Sequence, residues 1–143
     1  MLVRATIKAM CLAVYLAADR PLPPVEKALI GVEPAKLQRR NRDLFAEPHR
    51  YRYLLGTPGP GCACDLLSDG LTDDEEQARR ALLDDFYAYI AEAVRLGPVE
   101  AFVCWAGDER KEASTEVVTP EEFRDFDFGR AWDAPTRLTV RNP

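Results

Sequence analysis

Histidine occurs once in this chain, at His49, and no motif surrounds it. Without a motif around it, His-dependent hydrolytic triads and His-based general acid–base pairs are not supported. No glycine-rich loop follows a predicted strand in the pattern of a phosphate cradle, so nucleotide binding of that kind is not expected. Basic charge is also short, with 19 Lys and Arg against 24 Asp and Glu and a net charge of −5. That balance argues against broad nucleic-acid or anionic-membrane binding. The one tight basic group, Arg39-Arg40-Asn41-Arg42, has no interleaved aromatics for base stacking and reads as a solvated edge.

Long apolar runs are missing as well. The longest, residues 9–18, follows Arg4 and Lys8 and superficially copies a secretory signal. It is about half the length of a bilayer span, and Tyr15 or Leu16 would occupy the small-residue position before cleavage. The sequence therefore reads as cytoplasmic, with no membrane partner. In a reducing compartment its four cysteines point to metal ligation, redox work or packing rather than a disulfide framework. Repeats, low-complexity tracts and a second-domain linker are absent, and 143 residues suffice for one core-bearing domain spanning the chain. Residues 1–9 read as a frayed extension if Met10 is the natural start.

What is present organises around Thr57-Pro-Gly-Pro-Gly-Cys-Ala-Cys-Asp65. The prolines fix φ and the glycines open other backbone conformations, so the loop can hold Cys62 and Cys64 in a defined turn. Before it, residues 8–17 are apolar on both faces and fit a central strand ended by Pro21, Pro23 and Pro24. Alternation there puts Cys11 with Ala9, Ala13 and Tyr15, opposite Met10, Leu12, Val14 and Leu16. Residues 25–48 are hard to read, with residues 28–32 a short strand or turn of helix. Residues 50–55 alternate as a half-buried strand with Tyr51, Tyr53 and Leu55 inward, and His49 shares the tyrosine face.

After the loop, Thr72-Asp73-Asp74-Glu75 has capping-box spacing and predicts a helix over residues 73–96, with an inward stripe of Leu82, Phe86, Tyr89, Ile90, Ala93 and Leu96. Gly97-Pro98 stops it. Residues 99–105 read as a strand with Val99, Ala101, Val103 and Trp105 on one face, and Phe102 and Cys104 on the other. Residues 115–118 are expected to pair back as a short strand. Thr119-Pro120-Glu121-Glu122 opens a short second helix with Phe123 and Phe126 inward. Trp132 falls in an irregular stretch, and residues 136–141 form a final strand expected at an edge. The expected fold is α+β: a small, mainly antiparallel sheet with one long helix packed on a face and a short second helix.

Three functions stay open. Thiols at i and i+2 in a turn can hold one soft metal ion, zinc or another, with Cys104, Cys11 and His49 as further ligands on predicted strands. The spacing departs from the usual zinc Cys-x₂-Cys. A thiol redox or transfer protein is the second, disfavoured by Asp65 and the acidic stretch beyond, which would raise a thiol pKa. The third is a non-catalytic protein-interaction or immunity-type module with purely structural cysteines, its acidic surface meeting a basic partner. Trp105 and Trp132 would be anchors if exposed, with core packing the better reading for Trp105.

Residues 10–23, Met-Cys-Leu-Ala-Val-Tyr-Leu-Ala-Ala-Asp-Arg-Pro-Leu-Pro, with Gly61-Cys-Ala-Cys64 and Val103-Cys-Trp-Ala-Gly107, resemble a family of small bacterial proteins of no established activity. The resemblance implies no catalytic residues. It implies only that the Cys11, Cys62, Cys64 and Cys104 segments belong to one recurring framework.

Overall fold

The computed structural model describes residues 11–23, 31–34, 44–45, 51–56, 63–67 and 71–143. Among the described residues six strands form one sheet: β1 (Leu12–Ala18), β2 (Gly31–Pro34), β3 (Tyr51–Gly56), β4 (Val99–Trp105), β5 (Ser114–Val118) and β6 (Thr136–Val140). Their spatial order is β2-β3-β1-β4-β6-β5, and only β5–β6 is parallel. The long helix α1 (Asp73–Ala93) and the short α2 (Pro120–Arg124) complete the expected α+β architecture, with 3₁₀ turns at Cys64–Leu66, Val94–Leu96 and Phe128–Trp132. Expected features at residues 1–10, 28–30, 50 and 57–62, and His49, lie outside the described residues.

The double-sided apolar run of β1 is explained by its neighbours. It pairs with β3 on one edge and β4 on the other, and Leu12, Val14, Leu16 and Ala18 join the larger core under the helices. Ala13 and Ala17 face the other way, into a smaller cluster with Phe102, Cys104, Leu44 and Phe45. All seven residues of β4 are buried for the same reason. Arg137 on β6 anchors the outer cluster: its Nε donates to the Leu44 carbonyl at 2.6 Å, and its guanidinium lies 5.7 Å from the Phe102 ring centroid.

Two strand placements differ from expectation. Strand β6 is internal rather than at an edge, and β5 pairs with β6 instead of folding back on β4. The reason is burial. In β6, Thr136, Leu138 and Val140 are buried, whereas every residue of β5 is exposed or half-buried. The more apolar strand takes the open side of β4 and the polar one takes the edge.

Both helix starts form as their spacing predicts. Thr72 Oγ1 accepts from Glu75 N–H at 3.3 Å while Thr72 N–H donates to Glu75 Oε1 at 3.1 Å. Thr119 and Glu122 repeat the exchange at 3.2 and 3.0 Å. The hydrogen bond from the Thr72 backbone holds the Glu75 carboxyl below its ordinary range. Thr72→Ala is expected to cost about 1 kcal/mol. A urea melt should show a lower midpoint with an unchanged slope.

Leu82, Leu83, Phe86, Ile90 and Ala93 form the buried face of α1. Leu96, expected on this stripe, is 83% exposed, and Val94 is buried instead. The helix tightens to 3₁₀ over its last turn, and three residues per turn carry Leu96 off the 3.6-residue stripe. Against this face stand Phe123, Phe126 and Phe128. Phe86 meets Phe123 edge-on at 5.5 Å and Phe128 at 6.1 Å. These contacts fasten α2 and the following 3₁₀ turn to α1.

Arg20, just beyond β1, closes the other end of α1. Its guanidinium donates to the carbonyls of Ala93, of Gly97 at 2.6 Å and of Pro98 at 3.3 Å. Asn142 Nδ2 donates to Val94 O at 3.2 Å. Gly97 has φ +152°, and a Cβ there would lie 3.0 Å from Arg20 Nη1. The Gly-Pro stop is therefore also what lets the arginine approach.

Candidate functional site

The chain that follows the Gly/Pro loop returns to the start of β1. Strand β3 pairs with β1 only from Tyr15–Leu54 to Ala18–Tyr51, so it has diverged before Leu12. Ala63 and Cys64 take over that edge. Ala63 N–H donates to Leu12 O at 3.0 Å, and Leu12 N–H donates to Cys64 Sγ at 3.2 Å. On the opposite edge, Ala106 N–H donates to Cys11 O at 2.7 Å. The Cys11–Leu12 peptide is thus gripped from both sides.

This arrangement brings the Cys64 sulfur to the backbone beside Cys11, whose side chain alternation groups with Ala13 and Tyr15. Leu12 N is two bonds from Cys11 Cα, about 2.4 Å by standard geometry, so the Cys64 sulfur lies within roughly 6 Å of that Cα. Both side chains are half-buried. Cys62 and His49 lie outside the described residues.

Cys104 occupies surroundings different from those of Cys64. It is opposite Ala13 in the β1–β4 register and fully buried in the outer cluster, whereas Cys64 packs against the helix-side core. Burial raises its thiol pKa far above the ordinary value, and the Glu109 and Asp108 carboxylates raise it further. Its Sγ–H points to Glu109 Oε1 at 3.8 Å, a weak contact. The thiol is neutral and poorly nucleophilic in this setting. Among the described residues, no three Cys, His, Asp or Glu side chains converge into a metal-holding group.

Tyr15 and Glu109 are neighbours that no sequence motif announces. Glu109 accepts the Gly107 N–H at 2.9 Å, and Gly107 adopts φ +102° in this turn. Tyr15 is pushed up to about 12 by burial, then by Glu109 and Cys104. Alternation already placed Tyr15 on the Cys11 face. Nothing in the polar run of residues 107–111 singled out Glu109.

Tyr89 is also pushed up to about 12, by burial and then by Tyr53. Its hydroxyl donates to Pro23 O at 2.8 Å, a bond that only the neutral phenol can make. For both residues the folded value exceeds the ordinary 10.0. Their contribution is therefore full below pH 10 and lost as pH rises through about 12. Phenolate absorbance of the folded protein should show a late-titrating class that merges with the rest in denaturant, while the urea midpoint falls across the same pH interval.

Trp105 is buried as expected, and Trp132 packs edge-on against it at 4.4 Å while remaining 50% exposed. No helix among the described residues is long and apolar enough to cross a membrane. Comparison with protein-family models, with curated proteins and with solved structures finds no match to this chain.

Proposed function

We propose that the start of β1 carries a soft-metal site in which Cys11 and Cys64 act together with Cys62, and that zinc is the fitting occupant. The observation that carries this reading is the Cys64 sulfur lying 3.2 Å from the backbone nitrogen that follows Cys11. Cys62 is two residues from Cys64, so covalent geometry alone keeps their Cα atoms within about 7 Å. Thiolate ligands at Zn–S distances of about 2.3 Å need sulfurs roughly 4 Å apart, a spacing that such a turn can supply. His49 is the sequence candidate for the fourth position. Cys104 is assigned a packing role, supported by its burial and its elevated pKa.

Metal binding would withdraw protons from these thiols, so affinity should rise with pH. The test is elemental analysis of untagged protein purified without chelators, alongside a thiol titration before and after chelation. About one soft metal per chain is expected, with thiols that react fully only once the metal is removed. Cys11→Ser and Cys64→Ser should lose most of the metal, while Cys104→Ser should keep it. Metal-free protein whose thiols titrate without chelation would overturn the reading in favour of purely structural cysteines.

A further inference from the structure

Strand β5 ends the sheet, and its inner side is already committed. Ser114 N–H donates to Pro135 O at 3.1 Å, and Val118 O accepts from Arg141 N–H at 3.0 Å. Backbone groups of successive strand residues point to alternate sides, so Thr115 and Val117 turn theirs away from β6 toward the open edge. Val117 is β-branched, apolar and 56% exposed. Among the described residues no strand pairs with this edge.

A cavity of about 290 Å³ opens beside it on the helix side, between β5 and α2. Its walls carry Glu116, Glu122, Asp125 and Asp127 against a single base, Arg130, with Phe123 and Phe126 as aromatic surface. Arg130 shows which chemistry the walls favour: its Nη2 lies 2.8 Å from Glu116 Oε2 and its guanidinium 5.4 Å from the Phe126 centroid. The paired oxygen, Glu116 Oε2, is itself buried. Surplus negative charge and an aromatic wall together suit a second guanidinium or an ammonium.

Edge and cavity are in register. Glu116 and Val118 pair with Leu138 and Val140 and so share the helix-side face. A strand added outside β5 would set its own helix-side residues about 5 Å from them, over the cavity. We propose that this edge docks an extended basic segment of a partner protein, whose backbone pairs with Thr115 and Val117 and whose Arg or Lys side chain enters the cavity. A second copy of the chain fits poorly, since edge-to-edge pairing would bring the acidic rims together.

The test uses the full chain, isotopically labelled, with acetyl-Val-Arg-Val-Arg-Val-amide as probe and the corresponding Val-Ser peptide as control. The basic peptide should shift resonances within residues 114–130 and slow amide exchange at Thr115 and Val117. It should bind roughly tenfold more tightly than the control, and less so as salt rises. A combined Glu122→Gln and Asp125→Asn variant should weaken it roughly tenfold, since Gln can still accept the Thr119 N–H. Val117→Pro removes an outward N–H while sparing the bonds to β6, and should abolish the protection at Thr115. Equal binding of the two peptides, shifts elsewhere on the chain, or self-association through β5 that the peptide does not displace would each overturn the proposal.

Discussion

Replacing Phe123 by alanine is expected to destabilise the protein by about 3–5 kcal/mol, the cost of deleting a fully buried aromatic side chain. Phe123 has no exposed surface, and its ring meets Phe86 at 5.5 Å, Tyr87 at 5.8 Å and Phe128 at 6.3 Å. Helix α2 spans only Pro120–Arg124, too short to persist on its own, so this side chain is its principal hold on α1. Truncation removes the transfer free energy of the ring and leaves a void that rigid neighbours fill only in part. Thermal unfolding should shift down by roughly 10 °C. Phe126 is half-buried and stacks on the same ring at 6.3 Å, so its movement into the void is the relaxation that would bring the loss to the low end.

Arg20→Ala is the second large expected effect, about 2–3 kcal/mol, from the loss of charged hydrogen bonds to a helix end. One guanidinium serves the carbonyls of Ala93, Gly97 and Pro98, and its stem ties the exit of β1 to the C-terminus of α1. Removing it strands Ala93 O and Gly97 O, leaving Asn142 on Val94 O as the remaining side-chain donor described there. Lysine should not restore the loss, because a single ammonium cannot reproduce the planar fork. Amide exchange in the last turn of α1 should quicken before global unfolding. If Arg20→Lys proved as stable as the native chain, net charge rather than geometry would be the cause.

The two large effects depend on contacts of different legibility. Phe123 follows a capping box with proline at the first helical position, so both its helix and its inward direction are written locally. The same holds for α1 from Thr72 to Ala93 and for β4, which is apolar on both faces apart from Glu100. Arg20 offers no such signal: its role arises only when β1 ends beside the last turn of α1. Strand order is likewise a long-range outcome. Whether β5 or β6 lies beside β4 depends on which buries more apolar surface, a comparison between segments rather than a pattern within either.

The cysteines divide in the same way. Alternation puts Cys104 on the face it occupies, yet its neutral state comes first from burial in the outer cluster and then from Glu109 and Asp108, which reach it from the next turn. The Gly/Pro loop marked Cys64 as a held residue, but not what holds it. The bond from Leu12 N–H exists because β3 leaves the side of β1 early and the returning chain fills the gap.

The most direct test of the proposed thiol site is cobalt substitution, read by thiolate-to-metal charge-transfer absorption in the native chain and in each cysteine variant. The account predicts an intense sulfur-to-cobalt band at one equivalent, lost or strongly reduced in Cys11→Ser and Cys64→Ser and unchanged in Cys104→Ser. A band that survives Cys64→Ser, or none in the native chain, would contradict it.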